Sequence, residues 1–338
     1  MVTMKKHIFL NYFRLIRPQG AVSTAVVIII GYLIMKGPPN LVNLFILFII
    51  GVLGHIFGFV LNEYVDIKVD EKSKYLKEKP LVSGAIPKSH ALIIALFSCV
   101  CVYTLTVIFF QSLFPLIFLS LAFLSGLIYD TMGKKIPGSD LFIGAASFFG
   151  CLFGASTVSI YFTNLVYIIS LSVFIFLVFC NAVVGGLKDA DHDSLAGAKT
   201  TATRMGVKVK NGKMSVTKKF KIFSYALDLA FIILIILAVF QPEISLWQSG
   251  QYLILIIMVI LMAIVIVTLY KFLNLPIFER SRLYRLFALN GTATYLLVPI
   301  VLLPIIGLYI TLFLLVIPTA WLLMCNLILY GKPVQPQL

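Results

Sequence analysis

The sequence predicts an all-α, polytopic membrane protein, and three observations carry that prediction. Of 338 residues, 61% are hydrophobic and only 12% are charged, whereas a soluble domain carries about 25% charged residues. Mean hydropathy is +1.05. The apolar residues are gathered into long runs of the roughly 17–25 residues that cross a bilayer core as a helix.

Ten runs qualify, at 19–36, 40–64, 90–110, 112–129, 139–160, 163–187, 222–241, 249–270, 284–303 and 308–330. Each is apolar on most faces and rich in Leu, Ile and Phe. A helix satisfies its backbone polar groups internally, which lipid demands. A transmembrane barrel would need alternating segments about ten residues long, and none occurs. The lead-in, residues 1–17, is polar and basic and carries no mark of a cleaved signal peptide. Cys99, Cys101, Cys151, Cys180 and Cys325 all fall inside expected spans, without metal-ligand spacing. They read as small apolar core residues.

The formal net charge of +14 does not point to nucleic acid, because its distribution follows the membrane. With ten spans, 26 of the 27 basic residues fall on one side and only Lys36 on the other. Basic residues accumulate on the cytoplasmic side, so both termini and the long polar loops are expected there. Three such loops interrupt the chain, at 62–89, 129–140 and 188–221. The first and third each begin with acids at the end of the preceding helix, as in a duplicated helix–loop unit. The whole chain, 1–338, reads as a single domain.

The chain has 13 acids, and more than half fall in two short stretches. Asn62, Asp66 and Asp70 are spaced i, i+4, i+8, which puts them on one helix face. Asp189 and Asp193 are again i, i+4, while Asp191 is turned away by about 200° and is expected to be solvated or bonded to a loop. Like charges at this spacing repel. Either nearby lysines offset them at a solvated helix end, or they bind a hard divalent cation such as Mg²⁺, which favours carboxylate oxygens and often shares phosphate oxygens. Two equivalently placed clusters on one side favour the metal. Lysines and arginines of the same loops can neutralise a diphosphate leaving group.

These residues resemble the motifs of the UbiA superfamily of intramembrane prenyltransferases. Asn62-xxx-Asp66-xxx-Asp70 is similar to the first aspartate-rich motif, and Lys79-Pro-Leu-Val-Ser-Gly-Ala-Ile86 to its continuation, with Lys79 replacing an arginine. Asp189-xxx-Asp193 with Ala196-Gly-Ala-Lys-Thr200 resembles the second motif. Arg17-Pro18 resembles the opening Arg-Pro, and Tyr129-Asp130 with Lys134 the tyrosine–lysine motif, here with the lysine one residue further on. The resemblance runs from about residue 10 to 303. It implies nine helices around a central cavity, two Mg²⁺ ions held by Asn62, Asp66, Asp70, Asp189 and Asp193, and a side opening to lipid. It implies diphosphate contacts from Arg17, Lys79, Lys134 and Lys199. The run 308–330 would be an additional tenth helix.

The expected chemistry is ionisation of an allylic diphosphate, with Asp66 and Asp189 essential, Asp66 a candidate base and Tyr64, Tyr129 or Tyr295 a cation-stabilising ring. The donor is a polyprenyl diphosphate, geranylgeranyl or similar. The acceptor is either a glycerol-phosphate ether lipid precursor or an aromatic quinone precursor such as 4-hydroxybenzoate. Two other classes compete. A secondary transporter would place acids near the bilayer midplane, and here nearly every acid sits at a helix end or in a loop, Asp228 being the exception. A CDP-alcohol-type phosphotransferase also pairs aspartates with Mg²⁺, but its Asp-Gly and Ala-Arg steps are absent from these clusters. His55 and His192 read as structural, and the basic stretch 208–221 has no assigned role.

Overall fold

The computed structural model describes residues 2–35, 39–71, 76–133, 135–191, 193, 197–246 and 250–331. Its helices are α1 (Val2–Ile16), α2 (Pro18–Ile34), α3 (Leu41–Asp70), α4 (Lys88–Phe109), α5 (Leu113–Met132), α6 (Asp140–Ser156) and α7 (Asn164–Val178). α7 runs on as a π-helical segment, Phe179–Gly185, and a last α-turn, α8 (Gly186–Lys188). There follow α9 (Thr201–Arg204), the strands β1 (Lys208–Lys210) and β2 (Lys213–Ser215), then α10 (Lys218–Val239), α11 (Tyr252–Leu273), α12 (Arg280–Val301) and α13 (Leu303–Tyr330).

Each of the ten expected spans is a helix. Among the described residues, eight helical segments are long and apolar enough to cross a membrane. α6 has 17 residues, and α12 begins with Arg280, Arg282 and Arg285 before its apolar half. The chain is an integral membrane helical bundle. Many large apolar side chains, among them Leu229, Ile233 and Leu253, face outward, as a lipid-facing surface requires. The division of 284–330 follows a break at Gly307, whose φ of 76° and ψ of 165° interrupt α13. The expected start at 308 is therefore the kink.

Two features depart from expectation. The lead-in forms the helix α1, and the basic stretch folds as a hairpin. Asn211 and Gly212 both have positive φ (51° and 71°), the requirement of the tight turn that Asn-Gly favours. Lys208 pairs with Ser215 and Lys210 with Lys213. The lysines point outward while Met214 is buried, packed with Phe272, Leu275 and Leu283.

Local chemistry sets the helix boundaries. Pro18 opens α2, where its missing N–H is not needed. The Thr217 hydroxyl accepts from the Phe220 amide at 3.3 Å and caps α10. The centre of the bundle is the α2–α6 pair. A Cβ at Gly31 would stand 1.9 Å from the Cys151 carbonyl oxygen, and one at Gly154 1.9 Å from that of Ile28. Glycine there lets two backbones touch, the usual device of membrane helices. α3, α7 and α13 pack around this pair.

Candidate active site

α3 is a regular helix through Asp70, so Asn62, Asp66 and Asp70 do rise along one face. The loop after it is folded back by its own bonds. Ile86 N–H donates to the Pro80 carbonyl at 3.1 Å, and Ser83 N–H to the Lys79 carbonyl at 2.9 Å. Gly84 takes φ of 74°. Leu81 and Ile86 are buried against Val60 and Ile67 of α3. This fold returns the chain to α3 and aims Lys79 inward. Its Nζ lies 2.9 Å from Glu63 Oε1 and 2.8 Å from Asp70 Oδ2.

Arg17 completes the cluster by an ion pair with Glu63. Glu63 and Asp70 side chains are 5% and 2% exposed, and carboxylates that deep need partners. Arg17 itself has φ of 46° and ψ of 58°. For a non-glycine residue this left-handed conformation costs roughly 1–2 kcal/mol. It turns α1 into α2 and places the guanidinium 5.6 Å from the Phe59 ring centroid. His55 Nε2 meets the Arg17 carbonyl at 2.9 Å, and Thr24 Oγ1 meets Nδ1 at 3.0 Å. Because a carbonyl only accepts, Nε2 carries the proton. Gly20 leaves room, since a Cβ there would stand 2.8 Å from His55 Cε1.

At the end of α5, Tyr129 O–H donates to Asn181 Oδ1 at 3.1 Å, and Asn181 Nδ2 donates to the Leu177 carbonyl at 2.9 Å. Asn62 Nδ2 donates to Asp130 Oδ1 at 3.3 Å. The other oxygen, Asp130 Oδ2, is buried and has no hydrogen-bond partner among the described residues. The Tyr129 hydroxyl lies within electrostatic reach of Asp140, Asp130, Asp66 and Asp189. The bonds of Asn62 to Asp130 and of Tyr129 to Asn181 join the ends of α3, α5 and α7.

Asn181 belongs to the π-helical segment, a wider turn frequent at functional sites. Beyond it the Asp193 amide donates to the Asp189 carbonyl at 2.9 Å, which keeps these two aspartates one turn apart as expected. For Asp191, Arg280 Nη2, at the start of α12, meets Oδ1 at 2.9 Å. Lys188 Nζ is 3.8 Å from Asp189 Oδ2. Lys188 is also within electrostatic reach of Arg17, Arg280 and Lys79, so cations of the first and third loops meet as well. Lys199 is exposed. Lys134, Ala196 and His192 lie outside the described residues. Among the described residues, no three His, Cys, Asp or Glu side chains cluster closely enough to hold a metal by themselves.

Sequence reasoning gave no role to Glu63, Asn181, Asp140 or Thr201. Thr201 O–H donates to Asp140 Oδ2 at 2.5 Å and Thr201 Oγ1 accepts from Gly138 N–H at 3.2 Å, which ties the third loop to the second. Glu63 was the most findable, an acid beside Asn62 facing the basic loop. Asp228 is buried and faces a cavity between α7, α10 and α12 with Phe176, Phe179, Phe231 and Thr294.

A family model described as the UbiA prenyltransferase family matches residues 24–275. The chain belongs to this family. As a UbiA family member it is a prenyltransferase, and α12 and α13 lie beyond the matched residues. Digeranylgeranylglyceryl phosphate synthase of Saccharolobus solfataricus is 26% identical over 215 residues, covering 58% of this chain and 69% of that protein. A 4-hydroxybenzoate octaprenyltransferase of Pseudomonas fluorescens is 42% identical over 59 residues, only 17% of this chain and 20% of its own length. Among solved structures, a UbiA homolog from Archaeoglobus fulgidus bound to GPP and Mg²⁺ aligns with a TM-score of 0.63 at 16% identity, covering 87% of this chain and 99% of that one. An apo UbiA homolog from Aeropyrum pernix K1 gives 0.62 at 16% identity, over 85% and 98%. At these identities the likeness is one of fold.

Proposed function

We propose that this prenyltransferase moves a polyprenyl group from its diphosphate to an acceptor within the membrane, at a site between the ends of α3, α5 and α7. The supporting observation is the hydrogen bonding that joins the three helix ends, Asn62 Nδ2 to Asp130 Oδ1 at 3.3 Å and Tyr129 O–H to Asn181 Oδ1 at 3.1 Å, with Lys188 within electrostatic reach of Arg17 and Lys79. Asn62, Asp66, Asp70, Asp189 and Asp193 are the residues to hold Mg²⁺. The donor set suits it: these are hard oxygen ligands, and the orphaned Asp130 Oδ2 adds an acceptor beside Asn62. The absence of a three-ligand cluster among the described residues is compatible, because Mg²⁺ is commonly bound by one or two carboxylates plus substrate phosphates. When bound, Mg²⁺ withdraws charge from the diphosphate as it departs.

Arg17, Lys79 and Lys199 act on the same leaving group. The allylic C–O bond breaks, its electron pair goes to the diphosphate oxygen, and these cations stabilise the negative charge. The Tyr129 ring, fixed by Asn181, faces the developing allylic cation. The acceptor's nucleophile then forms the new bond and loses a proton, for which Asp66 is the proposed base. The apolar bundle excludes water that would otherwise hydrolyse the cation. The named relatives support a glycerol-phosphate ether lipid precursor as acceptor more broadly than an aromatic acid, by length of chain matched. The site and both termini are assigned to the cytoplasmic side by the distribution of basic residues.

The test is pyrophosphate release from geranylgeranyl diphosphate by the purified chain in proteoliposomes, with geranylgeranylglyceryl phosphate or 4-hydroxybenzoate as acceptor. We expect turnover with the glycerol phosphate, and none in excess EDTA. Full activity in EDTA would end the metal-dependent reading. Turnover with the aromatic acid alone would reassign the acceptor.

A further inference from the structure

We propose that Trp321, on the last helix, is a positioning residue for Arg17, so that α13 belongs to the donor site although it lies beyond the family-matched residues. This rests on reading Arg17 as a diphosphate contact. Arg17 sits in a backbone conformation that its side chain disfavours, and a residue of this kind persists only where its surroundings over-determine it. Two consecutive carbonyls fix the turn. The Arg17 carbonyl accepts from His55 Nε2 at 2.9 Å. The next one, of Pro18, accepts from Trp321 Nε1 at 2.7 Å, across 303 residues of sequence.

A second pair of contacts holds the same junction. Arg14 Nη2 reaches the Leu329 carbonyl at 3.5 Å, and its guanidinium lies 6.0 Å from the centroid of the Tyr330 ring. α13 thus runs along the α1–α2 junction and touches it from both sides of Arg17. The indole is suited to this place, because it is a flat apolar body with one N–H that only donates. Rotation of the 18–19 peptide would break the Trp321 bond and loosen the turn that aims the Arg17 guanidinium at Glu63. Trp321 acts on the donor through that peptide and touches no substrate.

A double-mutant cycle on the full chain in nanodiscs tests this, with binding of geranylgeranyl diphosphate in Mg²⁺ and thermal unfolding as readouts. Trp321→Phe keeps the ring and removes the donor. We expect it to weaken binding about three- to tenfold, the range that one hydrogen bond supports, with the Tm unchanged. In an Arg17→Ala background it should do nothing further, since coupled residues are non-additive. Trp321→Leu is the second variant, and whichever of the two stays folded must show this pattern. Wild-type binding by Trp321→Phe, or a loss that multiplies with that of Arg17→Ala, would overturn the role of Trp321 alone. Wild-type binding by Arg17→Ala would overturn the assignment of Arg17 and this inference with it.

Discussion

At the end of α3 the carboxylates stand on an unbroken α-helix, and two of them, Glu63 and Asp70, are clamped by Lys79 within a buried cluster. At the end of α7 they follow a π-helical segment, Asp189 is 31% exposed with Lys188 Nζ 3.8 Å away, and Arg280 pairs with its neighbour Asp191. The same residue types at the same i, i+4 spacing thus rest on different supports. The first end is fixed by burial and charge. The second is aimed by the extra backbone of the π turn, which rotates everything beyond it relative to a plain α-helix. The spacing is shared, and packing decides how each end is held.

The comparison is broken most sharply at the carboxylates themselves. If both ends do the same chemistry, Asp66→Ala and Asp189→Ala should each lower pyrophosphate release by on the order of 10³-fold while elution from size exclusion stays as in wild type. Loss at one end only would make the other a scaffold. A step smaller, deleting Val184 should convert the π segment to α-helix and turn Asp189 by about 100°. A loss of about 10²-fold in turnover with helicity unchanged by circular dichroism is expected, and near-wild-type turnover would show that the π turn aims nothing.

The supports differ in stability rather than chemistry. Lys79→Met strands Glu63 and Asp70 in a buried site and should destabilise the fold by about 3 kcal/mol, read as a lower midpoint in thermal unfolding. Arg280→Met opens an ion pair whose side chains are 25% and 21% exposed, for which about 1 kcal/mol or less is expected. Equal destabilisation by the two substitutions would erase the distinction between a clamped and an aimed end. Asn181→Leu removes the partner of the Tyr129 hydroxyl and should cost about 1 kcal/mol, with turnover falling a few-fold.

Much of this was legible in the sequence. The apolar runs located the helices, including the break at Gly307, because lipid imposes one length and one backbone solution. The spacing of Asn62, Asp66 and Asp70 showed their shared face. What the sequence hid depends on contacts between distant segments. Arg17 is 46 residues from Glu63, and Tyr129 is 52 from Asn181, so no local pattern joins them. The π segment lies within an apolar run whose residues read equally well at either helical period. The hairpin at 208–215 was legible, since Asn211-Gly212 between Lys-Val-Lys and Lys-Met-Ser is a turn signal, but its charge drew attention first. Arg280, which pairs with Asp191 from 89 residues on, lay beyond reach of spacing arguments.

The bond from Trp321 to Pro18 also fixes an order in time. Its two ends are 303 residues apart, and a ribosome adding about 5–20 residues per second needs roughly 15–60 s to deliver the second after the first. Through that interval the first hairpin of helices is in the bilayer, but the turn that carries Arg17 lacks one of its anchors. On the proposed reading of Arg17, the donor site therefore gains its last anchor only when the final helix docks.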